Sequence, residues 1–312
     1  MPAVRLVAAT ALSGVLYGLC FPVASLQPLA WIALVPFLLT LRHARLSEAL
    51  FLGWLWTIVA AYTLGDWFAR SVATYYEQPM LVGVAFFMGV SSFMAAPFFM
   101  AFAACYRSLA QRRSPLLPWL AAAAWVAAEL ARARLLGGNP WGLFGYSQMG
   151  LDRLVQIADV TGVYGVSFIL VVVNAALVEA GVADPAGRAK SLGGLALACV
   201  LAVGVLSYGT WRLGRPAVPT DAHTVRVAMV QGNLDLGSQW REDFYGENLD
   251  VYLRLTAQAV RAQQPDIVFW PESALTFFLE NEPAYRHAIA SVLMKKGVEL
   301  VVGGPRVEKH SV

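Results

Sequence analysis

Charged residues are scarce in this chain: they make up 14% of its 312 residues, whereas hydrophobic residues make up 58%. A water-soluble domain of this length needs more charge to cover its surface, so the composition excludes an ordinary soluble protein. The net charge of +3 is small, and no basic run is dense enough to bind nucleic acid. The composition therefore predicts a protein embedded in a lipid bilayer.

Cysteines and metal-ligand patterns are also few. The three cysteines, Cys20, Cys105 and Cys199, all lie within apolar stretches, where a thiol behaves as a small buried hydrophobe. This pattern excludes a disulfide framework. The four histidines show no spacing typical of a metal site. We therefore expect neither a metal nor a cofactor.

Residues 1–215 contain about seven apolar stretches that approach the roughly 20 residues needed to cross a bilayer. The shorter ones would be tilted or extended by flanking residues. The first stretch also resembles a cleaved signal peptide, but Leu19 before Cys20 does not fit a lipoprotein signal, so we favour a membrane span. The predicted spans are 4–19, 29–41, 50–64, 81–105, 116–129, 163–177 and 192–208.

The distribution of Lys and Arg between the loops predicts the orientation. The N-terminus and one set of alternate loops carry eight of these residues, whereas the other set carries four, diluted by carboxylates. The richer set is expected to face the cytoplasm. Seven spans then place the segment after residue 215 on the periplasmic side of a bacterial inner membrane, although Arg212 and Arg215 oppose this orientation.

The segment from residue 216 onward has the pattern of a water-soluble α/β unit. Three short stretches have strand-like apolar patterns, and two stretches between them have apolar residues at helical spacing. The predicted elements are strands at 225–230, 267–270 and 298–302 and helices at 249–260 and 283–296. The order β-α-β-α-β favours a layered α/β fold. Its core is small, so we expect the opening part of a larger domain.

The sharpest local feature of this segment is Trp270-Pro271-Glu272, where a proline ends a strand and leaves a carboxylate behind it. Ligand crevices of α/β sheets open at such strand ends. Half-buried beside Trp270, Phe277 and Phe278, the carboxylate would have its charged form disfavoured, which suits a general base at neutral pH. Glu272 is therefore the candidate catalytic residue. The alternative is that Glu272 caps a turn or pairs with a surface arginine.

Aromatic residues supply further candidates. Residues 139–148 read Asn-Pro-Trp-Gly-Leu-Phe-Gly-Tyr-Ser-Gln between two predicted spans, and rings such as Trp141 and Tyr146 suit a loop at headgroup level. Such a loop either guides lipid or simply anchors the protein. Trp240 is either a packing residue or a substrate contact. Phe277 and Phe278 fit a core position and a membrane-touching lid equally well.

Two carboxylates, Glu129 and Glu179, lie near the ends of predicted spans. Ionisable residues within a membrane are candidates for function by default. We interpret both as interfacial residues without a catalytic role, because each can reach the lipid headgroups.

Taken together, these features resemble apolipoprotein N-acyltransferases, bacterial inner-membrane enzymes with a nitrilase-like domain. The resemblance runs through the whole chain in order. It implies a multi-pass α-helical membrane domain at 1–215, followed at 216–312 by the first part of a nitrilase-like αββα domain, as in carbon-nitrogen hydrolases. It rests on seven N-terminal spans, the loop at 139–148, Val230-Gln231-Gly232-Asn233, Trp240 and Phe269-Trp270-Pro271-Glu272-Ser273.

The resemblance implies transfer of a fatty acyl chain from a phospholipid to the α-amine of a diacylglyceryl-cysteine at a lipoprotein's N-terminus. A cysteine thioester would divide the transfer into two steps. Glu272 would be the general base, and a lysine would stabilise the tetrahedral intermediate. The partners would be the phospholipid, the modified lipoprotein and the bilayer, without nucleic acid or cofactor. The implied substrate contacts are Trp240, Trp141, Tyr146, Phe277 and Phe278.

The sequence departs from this family in one respect. The family's lysine and cysteine lie beyond the glutamate strand, but no cysteine follows residue 216 here. Lys295, Lys296 and Lys309 do not match the family's lysine, and the family's final membrane span is missing. We therefore expect a C-terminally truncated polypeptide that is catalytically incomplete as written.

Two other functions stay open on the sequence. One is a non-catalytic membrane protein that binds a partner or carries a solute, and the other is a membrane-anchored amidase of the nitrilase superfamily. The predicted spans lack the paired intramembrane charges and broken helices of ion-coupled transporters. The amphiphilic loop and the multiple spans favour a lipid substrate over a soluble amide.

Overall fold

The computed structural model describes residues 3–112, 114–215, 224–234, 240–293 and 297–306. The chain separates into two compact units, Met1–Pro216 and Ala217–Val312. The first is helical and the second combines helices with a small sheet.

The first unit, called here the membrane unit, consists of helices joined by short connections. Two connections contain single 3₁₀-helices, Gln27–Trp31 and Phe144–Gln148. The α-helices are α1 Ala3–Leu19, α2 Val35–His43, α3 Leu46–Leu64, α4 Trp67–Tyr75, α5 Met80–Met94, α6 Ala96–Ala110, α7 Leu117–Arg134, α8 Asp152–Val155, α9 Ala158–Val182 and α10 Arg188–Leu213.

Among the described residues, α3, α9 and α10 are long and apolar enough to cross a membrane. Helices α5 and α6 together meet the same criterion, although they are bent by 53° at the break between them, and α1 is a shorter apolar helix. These helices confirm the prediction of a membrane-embedded helical domain. The count of seven spans stays a prediction.

The predicted span at 29–41 is wrong as a continuous helix, because it divides into the 3₁₀-helix Gln27–Trp31 and α2. A proline occupies the first turn of each piece, where its missing N–H is not needed. The break leaves main-chain groups without helical partners at Ala30 and Leu34, two residues that are fully buried. Asn174 of α9 bonds two of them: its Oδ1 accepts from the Leu34 amide at 2.9 Å, and its Nδ2 donates to the Ala30 carbonyl at 2.8 Å.

The predicted span at 81–105 is also interrupted, since α5 ends at Met94 and α6 begins at Ala96. Pro97 lies in the first turn of α6, and a proline inside a continuous helix would clash with the carbonyl four residues earlier. The sequence argument that the spans contain no broken helix is therefore wrong. The short helix α4 was not among the predicted elements, because at nine residues it is too short to produce a spanning hydropathy signal.

Large aromatic side chains fill the centre of the membrane unit. Trp56, Trp125, Phe37 and Phe102 are almost completely buried. The rings of Trp56 and Trp125 meet edge to face at 5.3 Å, and Phe102 meets Trp125 in the same way at 5.0 Å. Such contacts add to the stabilisation from buried area. This cluster ties α2, α3, α6 and α7 together.

The second unit, called here the α/β unit, has the predicted order of elements. Its elements are strand β1 Val227–Met229, helix α11 Tyr245–Gln263, strand β2 Ile267–Phe269, helix α12 Pro283–Leu293 and strand β3 Glu299–Val301. The strands form one parallel sheet in the order β1-β2-β3. The last residues of the predicted second helix, 294–296, lie outside the described residues.

Among the described residues of this unit, side chains cover one face of the sheet. Ala228 and Val268 are buried in a core that includes Leu249 of α11 and Ile289 of α12. The other face exposes apolar side chains that alternate with the buried ones along each strand. These side chains are Val227, Met229, Phe269 and Val301.

We predict that Asn174→Leu destabilises the membrane unit by about 1–3 kcal/mol, because the Leu34 amide and the Ala30 carbonyl lose a partner that water cannot replace. The measurement is the loss of helical circular dichroism as the purified protein is titrated with a denaturing detergent. The control is Ser207→Ala, since this exposed hydroxyl bonds to the Val203 carbonyl within its own helix. Equal stability of the two variants would contradict the role given to Asn174.

Candidate functional site

The carboxyl ends of the three parallel strands meet at one edge of the α/β unit. Main-chain hydrogen bonds continue one residue past the strands: the Val230 amide donates to the Phe269 carbonyl, and the Trp270 amide donates to the Val301 carbonyl, each at 2.9 Å. Glu272 lies three residues after the end of β2. The structure therefore places Glu272 at the edge where α/β sheets bind ligands.

The main chain of Glu272 is packed closely, but its side chain is exposed. A Cβ at Gly303 would overlap the Glu272 main chain, so only glycine fits at position 303. The Leu275 amide donates to the Gly303 carbonyl at 3.2 Å, which fixes the turn further. The prediction of a half-buried carboxylate is wrong for the described unit, because Trp270 and Phe277 point into the core while Glu272 faces outward.

Buried aromatic residues pack in the core next to the Pro271-Glu272 turn. The Trp270 indole donates from Nε1 to the Thr256 hydroxyl at 2.9 Å and stacks on Tyr252 at 5.1 Å. Burial raises the pKa of the Tyr252 hydroxyl above its ordinary value. The ring of Tyr252 also explains Gly232 after β1, because a Cβ there would lie 2.9 Å from Cζ of the ring.

The other aromatic candidates in this unit divide between core and surface. Phe277 is buried between Tyr245 and Tyr285, with ring centroids 5.2 and 5.0 Å away, so it is a core residue. Its neighbour Phe278 is exposed. Trp240 is about half exposed, and its role as a packing residue or a substrate contact stays a prediction.

In the membrane unit, the loop at 139–148 is held through its main chain. Tyr17 of α1 donates from its hydroxyl to the Gly142 carbonyl at 2.7 Å, and the Gly145 amide donates to the Ser167 hydroxyl of α9 at 2.8 Å. Gly142 has a positive φ of 61°, a conformation that favours glycine, and a Cβ there would lie 2.8 Å from Cδ2 of Leu64. Helices α1 and α9 therefore fix the backbone of this loop, and α7 provides further contacts.

Two charged residues of α7 make these further contacts. The Phe144 amide donates to Oε1 of Glu129 at 2.7 Å, and Nη1 of Arg132 donates to the Trp141 carbonyl at 2.7 Å. Glu129 is 0% exposed, so the interpretation of it as an interfacial residue is wrong. Arg132 was missed, although a Glu and an Arg three residues apart share a helix face and stand out in an apolar helix.

One exposed ring of the loop, that of Trp141, lies beside α4. Trp141 is 64% exposed, and its ring lies 5.2 Å from that of Trp67, which is also exposed. Tyr146 is exposed as well, whereas Phe144 between them is fully buried. The loop thus buries its main chain and presents two of its rings at the surface of the unit.

Glu179, the other carboxylate singled out on a span, forms an ion pair with Arg42 of α2. Asp159 of α9 pairs with Arg212 of α10 at 3.1 Å and accepts from the Tyr208 hydroxyl at 3.0 Å. Within the part of the chain that the structure describes, no group of three His, Cys, Asp or Glu side chains could hold a metal.

A cavity of about 310 Å³ lies within the membrane unit beneath the loop. Its walls come from α1, α3, α4, α5, α6 and α7 and from the loop, and they are mostly apolar. Its polar side chains include Arg132, Asn139 and Ser91, and Trp67 and Trp141 also line it. The volume is at the lower end of the roughly 300–1,000 Å³ typical of small-molecule sites.

Comparison with known proteins identifies relatives over nearly the whole chain. A family model described as the apolipoprotein N-acyltransferase N-terminal domain matches residues 13–176, which contain most of the membrane unit. A protein of Geobacter metallireducens named apolipoprotein N-acyltransferase is 35% identical over 96% of this chain and 57% of its own length. Proteins of the same name from Chlorobaculum tepidum and Pseudomonas aeruginosa PAO1 are 31% and 30% identical over 94% and 90% of this chain.

The chain spans slightly more than half the length of these curated relatives: 57% of the Geobacter protein and 54% of the other two. The matched family model includes the loop at 139–148 and both charged residues of α7. By this match, the chain belongs to the apolipoprotein N-acyltransferase family.

Proposed function

We propose that this chain is part of an enzyme that transfers a fatty acyl chain from a phospholipid to the α-amine of the diacylglyceryl-cysteine of a lipoprotein. The observation that carries the proposal is Glu272 at the carboxyl edge of the sheet, in a chain whose membrane unit matches this family. The relatives' name supports the reaction. The exposed carboxylate also supports it, because a general base must be within reach of the group it deprotonates.

In the proposed reaction, Glu272 accepts the proton of a cysteine thiol, and the thiolate attacks an ester carbonyl of the phospholipid. The ester C–O bond breaks, the lysophospholipid takes up a proton and leaves, and the acyl chain stays on sulfur as a thioester. The lipoprotein amine then attacks the thioester carbon and forms an amide C–N bond as the C–S bond breaks, and Glu272 transfers the proton that the amine loses to the sulfur, which restores the thiol. A lysine stabilises the oxyanion formed in each step.

Glu272 is the one member of this catalytic set that we assign within the 312 residues. The chain's cysteines are all in the membrane unit, two of them on its exposed surface and none after residue 216. We assign the cysteine and the lysine of this set to no residue of this chain.

The exposed apolar face of the sheet supports the proposal that this unit is the first part of a nitrilase-like domain. Val227, Met229 and Phe269 expose apolar surface that a second sheet would cover, as in an αββα sandwich. Exposed contiguous apolar surface of this kind marks an interface rather than a solvated face.

We also propose seven membrane crossings, with the α/β unit on the periplasmic side of the inner membrane. The unequal Lys and Arg content of alternate loops supports this orientation. The exposed rings of Trp141 and Tyr146 suit the headgroup region, where the phospholipid ester is found.

We predict that Glu272→Gln in the complete enzyme lowers formation of the acyl-enzyme by about 100-fold or more, because an amide cannot accept the thiol proton. The measurement is hydroxylamine-sensitive incorporation of a labelled acyl chain from phospholipid. Glu280→Gln is the matched control, since it removes the charge of an exposed carboxylate in the same unit. Near-normal acyl-enzyme formation by the Glu272→Gln variant would refute the general-base role.

Gly303→Ala tests whether the position of Glu272 matters. The added methyl group would displace the Glu272 main chain, so we expect acyl-enzyme formation to slow roughly 10- to 100-fold while membrane insertion is kept. Gly246→Ala serves as the control, because a Cβ there meets only Tyr285 Oη at 3.4 Å. Unchanged rates in both variants would show that the turn does not position the reaction.

The orientation has its own test. Alkaline phosphatase folds to its active form only in the periplasm. Our proposed topology places Pro219 on that side, so the reporter fused after Pro219 should be active. The same reporter fused after Arg112, in a loop predicted to be cytoplasmic, should be inactive. The reverse pattern would overturn the orientation without affecting the assignment of Glu272.

A further inference from the structure

The C-terminal end of α10 combines aromatic and cationic side chains at the end of a helix that can cross a membrane. Helix α10 is long and apolar enough to do so, and 17% of its apolar stretch is buried in the protein. Within the described part of the chain, most of its surface is therefore open to lipid. Its last turns carry Tyr208, Trp211 and Arg212, and Arg215 lies two residues after its end. These four residues are called here the α10 end cluster.

One cation of the α10 end cluster is neutralised within the protein. Nε of Arg212 donates to Oδ2 of Asp159 at 3.1 Å, and the Tyr208 hydroxyl donates to the same carboxylate at 3.0 Å. Asp159 lies in the first turn of α9, so these bonds also join the start of α9 to the end of α10. Because Asp159 balances its charge, Arg212 adds little to the positive potential of this surface.

The second cation, Arg215, has no anionic partner among the described residues. Its guanidinium carbon lies 3.8 Å from the centre of the Trp211 ring, a cation–π contact. The Arg215 amide donates to the Arg212 carbonyl at 3.1 Å, which fixes the main chain in a turn at the helix end. Trp211 and Arg215 are both exposed. An aromatic ring therefore holds an exposed, unpaired arginine in place.

The contact with the ring leaves the hydrogen-bonding edges of Arg215 available. A distance of 3.8 Å is a van der Waals separation between carbon atoms, which fits contact through the face of the guanidinium. The N–H donors lie in the plane of the group and are not used by such a contact. An edge with two of these donors binds two oxygens of a phosphate together. Arg215 therefore presents a phosphate-binding edge at the end of a lipid-facing helix.

The position of this edge in the bilayer selects the anion. Tryptophan rings at the ends of spanning helices lie at headgroup level, where the phosphates of the lipids are found. Arginine side chains near helix ends extend to the same level. A zwitterionic lipid brings its own ammonium group, which competes with the guanidinium for the phosphate, whereas an anionic lipid brings no such competitor. An anionic phospholipid is therefore the best complement to Arg215.

We propose that Trp211 and Arg215 bind the phosphate of an anionic phospholipid of the surrounding bilayer and so anchor the end of α10 at headgroup level. Arg215 donates to the phosphate oxygens, and the Trp211 ring orients the guanidinium. This lipid is a structural ligand and not an acyl donor, so the inference goes beyond the proposed function and does not depend on it. It also gives a role to the arginines that oppose the proposed orientation, since Asp159 balances Arg212 and the lipid balances Arg215.

The test locates the lipid by photo-crosslinking of the purified 312-residue chain in nanodiscs. The probes are phosphatidylglycerol and phosphatidylcholine with the same photoreactive group, and mass spectrometry measures the crosslinks to residues 208–215. We expect phosphatidylglycerol to label this stretch more strongly. Arg215→Gln should lower its labelling about fivefold, the factor expected for the attraction of one arginine to an anionic surface. Arg70→Gln is the matched control, because this exposed arginine is paired with Asp66, and it should leave the labelling within about twofold.

A second pair of variants tests the ring. Trp211→Leu keeps an apolar side chain but removes the cation–π contact, so labelling by phosphatidylglycerol should fall about threefold. Trp211→Phe keeps an aromatic face and should stay within about twofold of the parent. Since Trp211 and Arg215 are exposed, all of these variants are expected to melt at the same temperature as the parent.

Four outcomes would overturn the proposal. Equal labelling by the two lipids would remove the role of charge, and an equal loss in the Arg70→Gln variant would reduce the contact to a general attraction between cations and the lipid surface. Unchanged labelling of the Trp211→Leu variant would show that the ring does not orient Arg215. Loss of labelling when inorganic phosphate is added would assign the edge to the free ion. Because no acyl transfer is measured, the Glu272 experiment can fail without affecting this result.

Discussion

Main-chain groups that leave a helix inside a bilayer have no water to bond, so every irregular segment at that depth needs partners from the protein. The membrane unit depends on this constraint. Asn174 supplies a donor and an acceptor to the break between residues 31 and 35, and Glu129, Arg132, Tyr17 and Ser167 each bond one main-chain group of the loop at 139–148. Polar side chains in this unit are therefore concentrated where the helices end or break.

Irregular backbone also shapes the cavity of the membrane unit and the carboxyl edge of the sheet. The bend between α5 and α6 and the pinned loop leave a cavity that regular packed helices would have filled. In the α/β unit, parallel strands end together, and Gly232 and Gly303 let the backbone approach Tyr252 and Glu272 closely. Each site is a position where the regular hydrogen-bond pattern stops and a specific residue takes over.

Hydropathy and periodicity predicted the helical membrane domain and the β-α-β-α-β order, because both depend on the summed pattern of many residues. The errors concern single side chains. The sequence places Glu129 near the end of an apolar stretch, but this position is the same whether the side chain faces lipid, water or a neighbouring helix. Only the tertiary contacts distinguish the three surroundings. The burial of Glu272 was misjudged because alternation along β2 does not extend through the proline turn. The broken second span was missed since its partner, Asn174, is remote in sequence.

That remoteness has a consequence for biosynthesis. The Leu34 amide finds its acceptor 140 residues further along the chain. Chains emerge from the ribosome at about 5–20 residues per second, so on the order of 10 seconds pass between the two residues. Until α9 arrives, the early hydrophobic segments must wait in the insertion machinery or at the membrane surface with open main-chain groups. The order of translation thus delays the final assembly of the N-terminal helices until the sixth apolar segment has entered the bilayer.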